Sequence, residues 1–185
     1  MGILDEPEYV VARVPLDGPV SLSEPDPRWP GQFSRVARRI LGALGPRAIR
    51  LEHVGSTSVA GLAAKPILDV LLVVEDPADE PTYVPALEDA GFTLHLREPG
   101  WYEHRLLRGR APKVNLHVFG PSAREVGQML LFRDWLRSHP GERDLYASVK
   151  RELAARRWEH VQDYADAKSV VVQQILERAT RPPAP

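Results

Sequence analysis

The sequence contains no cysteine, so it can form no disulfide bond, thiol nucleophile or zinc site with cysteine ligands. It also lacks an apolar run near the roughly 20 residues that a membrane-spanning helix needs. An excess of basic residues is missing too, because 24 Lys and Arg face 25 Asp and Glu, for a net charge of −1. Nucleic-acid grooves usually carry such an excess. We therefore expect no membrane span and no nucleic-acid partner, although a local basic pocket is compatible with this balance.

The length and composition favour one globular domain. The chain has 185 residues, 43% of them hydrophobic, which suffices for a single core. We predict one domain over residues 1–180, with a mixed-sheet half at 1–121, a helical half at 122–180 and a disordered tail at 181–185. The first ten residues, MGILDEPEYV, have neither a basic start nor an apolar core. We therefore expect no signal peptide and a cytoplasmic location.

Hydrophobic periodicity predicts the order of the elements. A helical stripe with Asp26 as its N-cap covers residues 26–44. Alternation and short apolar runs predict strands at 49–54, 67–74, 92–97, 101–108 and 113–119. Further helices are predicted at about 83–90, 122–138, 142–157 and 161–179. This order favours an α/β (α+β) fold in which a mixed β-sheet is flanked by helices and followed by a C-terminal helical bundle.

Residues 49–74 form the stretch of greatest interest. They read as a strand, a Gly-Ser turn, a short helical segment and a second strand that Asp69 interrupts. A lone buried carboxylate is costly, so Asp69 needs a metal, Lys65 or a substrate as its partner. In the turn, Gly55 permits a close backbone approach, and Ser56, Thr57 and Ser58 can either contact a phosphate or simply cap a helix. Lys65 can neutralise a phosphate or pair with Asp69.

Longer motifs resemble a known family. HVGSTSVAGLAAKPILDV at 53–70 is similar to the signature of the GrpB family, a group of nucleotidyltransferase-like proteins. A domain related to this family is fused to dephospho-CoA kinase in some bacteria. DPRW at 26–29, NLHV at 115–118 and FRDWLRSHP at 132–140 extend the resemblance from about residue 25 to residue 179. The resemblance implies a nucleotidyltransferase-like mixed sheet flanked by helices.

The resemblance also implies a site, from which this sequence departs. In such nucleotidyltransferases a Gly-Ser turn cradles phosphates, and Asp-x-Asp on the next strand, with a later carboxylate, binds two metal ions. Gly55, Ser56 and Asp69 are kept, but Leu71 replaces the second carboxylate and His117 stands on the later strand.

Leucine cannot bind Mg²⁺, whereas two histidines and a carboxylate suit a transition metal. His53, Asp69 and His117 are thus candidate metal ligands. Alternatively, both histidines are only hydrogen-bonded, and Asp69 pairs with Lys65 or caps the turn.

The helical half adds basic candidates. Tyr146 and Lys150 are four residues apart, as are Tyr164 and Lys168, so each pair shares a helix face. Lys168 lies on an apolar stripe, where it either snorkels to water or meets an anion. The planar fork of Arg133 suits a phosphate, or else an ion pair with a neighbouring acid. We assign no role to His104 and Arg105, which point to opposite faces of their strand.

Together these residues predict a protein that binds a nucleotide or a small phosphorylated metabolite and could transfer a nucleotidyl or phosphoryl group. Ser56, Asp69 and His117 are the catalytic candidates. The ligand-binding candidates are Gly55, Ser56, Thr57, Ser58, Lys65, Arg133, Lys150 and Lys168. Such transfer depends mostly on positioning and electrostatics. Two alternatives stay open: a non-catalytic binding module with a degenerate metal site, as Leu71 indicates, and a metal-dependent enzyme of another class that uses His53, Asp69 and His117.

Overall fold

A mixed β-sheet forms the centre of the computed structural model, which describes residues 6–12 and 19–181, without the side chains of Val161 and Gln162. The strands are Glu8–Tyr9 (β1), Arg50–Val54 (β2), Leu68–Val73 (β3), Phe92–Glu98 (β4), His104–Arg110 (β5) and Lys113–Phe119 (β6). Within the described residues they lie in the order β1-β4-β5-β6-β3-β2. β3 and β6 run parallel, and the other neighbouring strands are antiparallel. The predicted mixed α/β fold is confirmed.

Six α-helices accompany the sheet in the described part of the chain. They are Trp29–Leu44 (α1), Val84–Asp89 (α2), Arg124–Ser138 (α3), Pro140–Ala154 (α4), Val161–Ala167 (α5) and Ser169–Thr180 (α6). The helix predicted over 161–179 is divided at Lys168, which ends α5 and precedes α6. Of the predicted C-terminal tail, residues 182–185 lie outside the described part. No described helix combines the length and the apolar character needed to cross a membrane.

Two predicted boundaries were wrong for local reasons. The first helix begins at Trp29 and not at Asp26, because the Asp26 carboxylate accepts a hydrogen bond from the backbone N–H of Arg28, 2.8 Å away. β5 begins at His104 and not at residue 101. Residues 101–104 instead form a tight turn, closed by the His104 N–H on the Trp101 carbonyl at 3.1 Å.

One face of the sheet carries the main core. In β3, alternation sends Leu68, Val70 and Leu72 to this face, where they pack with α1 and α2. Ile40 of α1 and Leu87 of α2 are completely buried in the same cluster. This layer needs only apolar side chains, and the sequence supplies them at the expected intervals.

The other face of the sheet is covered only in part. Leu71 and Val73 of β3 pack under α3, against Val126 and Leu130. Asp69 lies two residues before Leu71 on the same strand face, but its side chain is 32% exposed and lines a cleft. The remaining C-terminal helices form apolar clusters of their own farther along. The sheet face around Asp69 therefore stays open as the floor of a cleft.

Leu71→Asp tests whether packing excludes a second carboxylate from β3. Leu71 is 0% exposed, so we expect the variant to lose more than about 3 kcal/mol of unfolding free energy, since emptying a buried leucine site alone costs about that much. Leu41→Asp is the matched control, because Leu41 is 45% exposed on α1, and should lose under about 1 kcal/mol. Urea unfolding measures both. A Leu71→Asp protein as stable as the wild type would show that the position can host an acid.

Candidate functional site

A cleft of about 730 Å³ opens over the uncovered sheet face. Strand residues form its floor, and the turn after β2, the loop before β3 and helices α4 to α6 form its walls. The polar side chains that line it are Ser56, Thr57, Lys65, Asp69, Glu98, His104, Arg108, Asn115, His117, Lys150, Asp166, Lys168 and Ser169. Most residues that the sequence singled out meet in this one place.

Lysine is concentrated in the cleft. The whole sequence has only four lysines among its 24 basic residues, and Lys65, Lys150 and Lys168 all line the cleft. They come from three elements: the loop before β3, helix α4 and the junction between α5 and α6. The fourth, Lys113, lies exposed on β6. Arg108 lines the cleft as well, so four basic side chains lie there beside the carboxylates of Asp69, Glu98 and Asp166, in a protein whose net charge is −1.

Lys150 is the most deeply buried of the three. Its Nζ donates hydrogen bonds to Ser56 Oγ, at 3.0 Å, and to the Ala63 carbonyl, and it lies 4.8 Å from the ring centre of Tyr146. Burial, together with the charges of Lys168 and Arg151, lowers the pKa of Lys150 to about 7, against the opposing effect of Asp69. The first Tyr-x-x-x-Lys pair is therefore directed at the Gly-Ser turn.

The second pair completes the wall. Lys168 Nζ lies 4.6 Å from the ring centre of Tyr164, and Lys65 Nζ lies 5.6 Å from the same ring. Burial and the charge of Lys65 lower the pKa of Lys168 to about 8, and burial also lowers the pKa of Lys65. Asp69 acts to raise the pKa of both lysines. A bound anion would act in the same direction and favour their charged forms.

Asp69 lies among these cations on the floor. The strand register places it beside Asn115 of β6, whose Nδ2 donates to Asp69 Oδ1 at 2.9 Å, and the same oxygen lies 3.7 Å from His117 Nε2. Burial acts to raise the pKa of Asp69, but His117, Asn115 and the charge of Lys168 together bring it below its ordinary value. The carboxylate is therefore ionised at neutral pH.

The turn that covers Asp69 requires a glycine. Gly55 has a φ of 66°, and a Cβ added to it would lie 2.4 Å from Asp69 Oδ2. Ser56–Ser58 form a single 3₁₀ turn and not the expected helix start, so a helix terminus is not available to stabilise an anion. Ser56 and Thr57 line the cleft, whereas the Ser58 hydroxyl donates back to the Gly55 carbonyl at 2.6 Å.

Comparison with known proteins places this chain in a family. The model of the family described as GrpB protein matches residues 19–178. The chain belongs to the GrpB family. A relative from Halalkalibacterium halodurans, UPF0157 protein BH1888, is 56% identical over 89% of this chain and 85% of its own length.

Two further matches bear on this GrpB-family chain. The crystal structure of conserved protein GrpB from Enterococcus faecalis has a TM-score of 0.73 and 28% identity, and the match covers 86% of this chain and 96% of that one. A protein of Mycolicibacterium paratuberculosis named dephospho-CoA kinase is 31% identical over 87% of this chain, which spans 46% of that protein. The mixed sheet flanked by helices and the relation to dephospho-CoA kinase that the resemblance implied are thereby confirmed.

The structure corrects the expected three-residue metal site. His53 pairs with Val70, so its side chain lies on the opposite sheet face from Asp69 and His117. It stacks on Phe33 of α1 at 4.7 Å, and its Nε2 lies 3.0 Å from Thr57 Oγ1. Burial lowers the pKa of His53 to about 4. The described residues contain no group of three or more His, Cys, Asp or Glu side chains arranged to hold a metal ion.

Arg133 also lies away from the cleft. Its guanidinium donates to Glu52 of β2 and to Asp134, each at 2.8 Å, and to the His53 carbonyl at 3.1 Å. These contacts attach α3 to the edge strand of the sheet. Arg133 therefore forms ion pairs with neighbouring acids, which was the alternative prediction. The prediction that it binds a phosphate is corrected.

Several cleft residues were not predicted from the sequence, and Glu98 and His104 are the most important of them. His104 Nδ1 lies 2.7 Å from Glu98 Oε2, and His104 Nε2 lies 3.2 Å from His117 Nδ1. These contacts cross three neighbouring strands, so they depend on pairing that no spacing shows directly. The sequence predicts strands at 101–108 and 113–119, but the register that places His104 and His117 on the same sheet face comes only from the structure.

Gly55→Ala tests the close approach of the turn to Asp69. Gly45→Ala is the matched control, since Gly45 also has a positive φ, of 55°, but an added Cβ there meets nothing within 4 Å. The control should lose only the cost of backbone strain, about 1–2 kcal/mol. Gly55→Ala should lose roughly 1–3 kcal/mol more, because its Cβ collides with Asp69. Urea unfolding of both proteins measures this difference, and equal losses would contradict the close-approach argument.

Proposed function

We propose that this GrpB-family protein binds a small phosphorylated molecule, either a nucleotide or a phosphorylated metabolite, in the cleft. The observation that carries the proposal is the convergence of Lys65, Lys150 and Lys168 on one cavity around Asp69, whose lining also includes the carboxylates of Glu98 and Asp166. Buried cations are costly unless an anion pairs with them. Phosphate oxygens would supply that pairing. The cavity volume of about 730 Å³ also lies in the usual range for small-molecule sites.

The residues suggest how such a ligand is held. Ser56 presents a hydroxyl that both Lys150 and Tyr146 contact, so its orientation is defined before a ligand arrives. Lys168 and Lys65 face the same space across the Tyr164 ring. Support also comes from the relative named dephospho-CoA kinase, because that name denotes a protein that acts on a phosphorylated substrate.

Transfer of a phosphoryl or nucleotidyl group is a second candidate function. It is favoured by His117, which lies on the cleft floor beside Asp69 and is hydrogen-bonded to His104. The buried Leu71 favours binding without a two-metal mechanism, because the position of the second carboxylate belongs to the core. Any transfer in this cleft would therefore depend on the lysines for charge neutralisation and on a side-chain base.

Replacing the cleft lysines tests the binding proposal. Calorimetric titration with ATP should show binding to the wild type, and Lys150→Met and Lys168→Met should each weaken it at least about ten-fold, since each removes one charge-assisted hydrogen bond. Lys113→Met is the matched control, because Lys113 is exposed outside the cleft. Circular dichroism confirms that each variant is folded. The cleft would be rejected as the site if Lys150→Met and Lys168→Met left the ATP affinity unchanged, or if Lys113→Met weakened it equally.

The lowered lysine pKa values predict a pH dependence of anion binding. With pKa values of about 7 for Lys150 and about 8 for Lys168, both lysines are mostly protonated at about pH 6.5 and mostly neutral at about pH 8.5–9. An anion binds the protonated forms better, so affinity should fall as pH rises, by at least about ten-fold across this range. Sulfate is the suitable ligand, because its own charge stays constant there.

Calorimetry in two buffers with different ionisation enthalpies should also show that sulfate binding takes up protons at pH 7.5. Lys113→Met should behave as the wild type. An affinity for sulfate that does not change with pH, or binding without proton uptake, would contradict the assignment of the lysines as the anion site.

A further inference from the structure

A chain of four polar side chains crosses the open sheet face. It begins at Glu98, at the end of β4, and passes through His104 and His117 to Asp69 of β3. The Glu98–His104 contact measures 2.7 Å, the His104–His117 contact 3.2 Å and the His117–Asp69 approach 3.7 Å. The side chain of His104 is only 2% exposed, whereas that of His117 is 20% exposed and lines the cleft.

The contacts define the tautomer of each ring. An ionised Glu98 carboxylate only accepts, so His104 Nδ1 must carry the hydrogen. Neutral His104 then has an unprotonated Nε2, which accepts from the Nδ1–H of His117. Neutral His117 consequently has its lone pair on Nε2. This atom lies 3.7 Å from Asp69 Oδ1, so a proton that Nε2 takes up is placed beside a carboxylate that stabilises it.

Packing keeps His104 neutral and oriented. Its ring stacks on Phe119, with a centre distance of 4.5 Å, and meets the edge of Trp101 at 4.9 Å. Burial lowers the pKa of His104 to about 4, against the opposing effect of the hydrogen bond that His104 donates to Glu98. Trp101 is the first residue of a tight turn whose two central residues, Tyr102 and Glu103, both have positive φ angles. This backbone conformation costs free energy for residues other than glycine. These features hold the His104 imidazole in place, and its Nε2 orients the imidazole of His117.

We propose that His117 is the general base of the cleft, held with Nε2 free by His104 and Glu98 as positioning residues. This inference rests on the proposed binding of a phosphorylated ligand. Nε2 takes the proton of a hydroxyl group, from an alcohol or from water, while that oxygen forms a bond to phosphorus. The bond from phosphorus to the leaving oxygen breaks, and the leaving oxygen keeps the electron pair.

The lysines neutralise the charge that the leaving group gains, and Asp69 stabilises the imidazolium of His117. The imidazolium then returns its proton to the leaving group or to water. The reaction class is transfer of a phosphorus-centred group to a hydroxyl acceptor. It requires no oxidant or reductant.

Nitrogen-15 NMR of the full chain labelled at histidine tests the tautomers directly. Long-range correlation spectra at pH 8 should show His117 with a protonated Nδ1 and an unprotonated Nε2, with His117→Gln providing the assignment. His104→Phe keeps the ring packing but removes both hydrogen bonds, so His117 should lose this single tautomer. Glu98→Leu should have the same effect, whereas Glu98→Gln should retain the tautomer, because its amide oxygen still accepts. A wild-type His117 protonated at Nε2, or a tautomer unaffected by His104→Phe, would overturn the proposal.

Chemical modification tests the reactivity of the free nitrogen. Diethyl pyrocarbonate acylates an accessible unprotonated imidazole nitrogen, and mass spectrometry locates the product. His117 should react in the wild type, several-fold more slowly in His104→Phe, and more slowly when ATP occupies the cleft. His160, at the start of α5 and outside the cleft lining, is the internal control and should react equally in all samples. A His117 that stays unmodified, or reacts equally in His104→Phe, would contradict its role as a base.

The two proposals fail in different ways. If ATP neither binds nor protects while the tautomer and the reactivity of His117 are as expected, the proposed ligand class is rejected and the base assignment stands. If ATP binding depends on Lys150 and Lys168 but His117 carries its hydrogen on Nε2, the lysine site stands and the general base is rejected.

Discussion

The contact between the Gly55 turn and the Asp69 carboxylate is the constraint on which the rest of the site depends. The antiparallel pairing of β2 with β3 brings the turn back over Asp69, and only a residue without a side chain can occupy the position. Ser56 then meets Lys150 of α4, so a helix distant in sequence is tied to the same point. Asp69 in turn acts on all three cleft lysines, which burial alone would drive toward their neutral forms.

Along β3, the same sheet face changes from buried core to open cleft within two residues. Leu71 belongs to the core beneath α3, and Asp69 belongs to the cleft. This explains the departure from the two-metal pattern in physical terms, because the position of the second carboxylate is occupied by packing that the helix requires. Within the cleft, basic side chains come from the loop before β3, from β5 and from the helical half, and the two histidines come from β5 and β6. Both halves of the chain are therefore needed to build one cleft.

Much of the fold follows from periodicity, because five strands and most helices are local patterns. The sequence also predicted several residues of the site, and the structure brings them together: the Gly55 turn, Asp69, Lys65 and the two Tyr-x-x-x-Lys pairs. The strand register could not be predicted from the sequence. It places the His53 side chain on the opposite sheet face and brings His104 into contact with His117 and Glu98. The partner of Arg133 was likewise hidden, since Glu52 lies 81 residues away in sequence. Pairing across strands and helices decides these roles.

A crystal structure of the protein with a non-hydrolysable ATP analogue tests the central claim most directly. The account predicts phosphate oxygens within hydrogen-bonding distance of Lys150 Nζ and Lys168 Nζ, beside Ser56 and on the Asp69 side of the sheet. Phosphates bound instead in the separate groove lined by Arg39 and Arg110, with the lysine cleft empty, would contradict it.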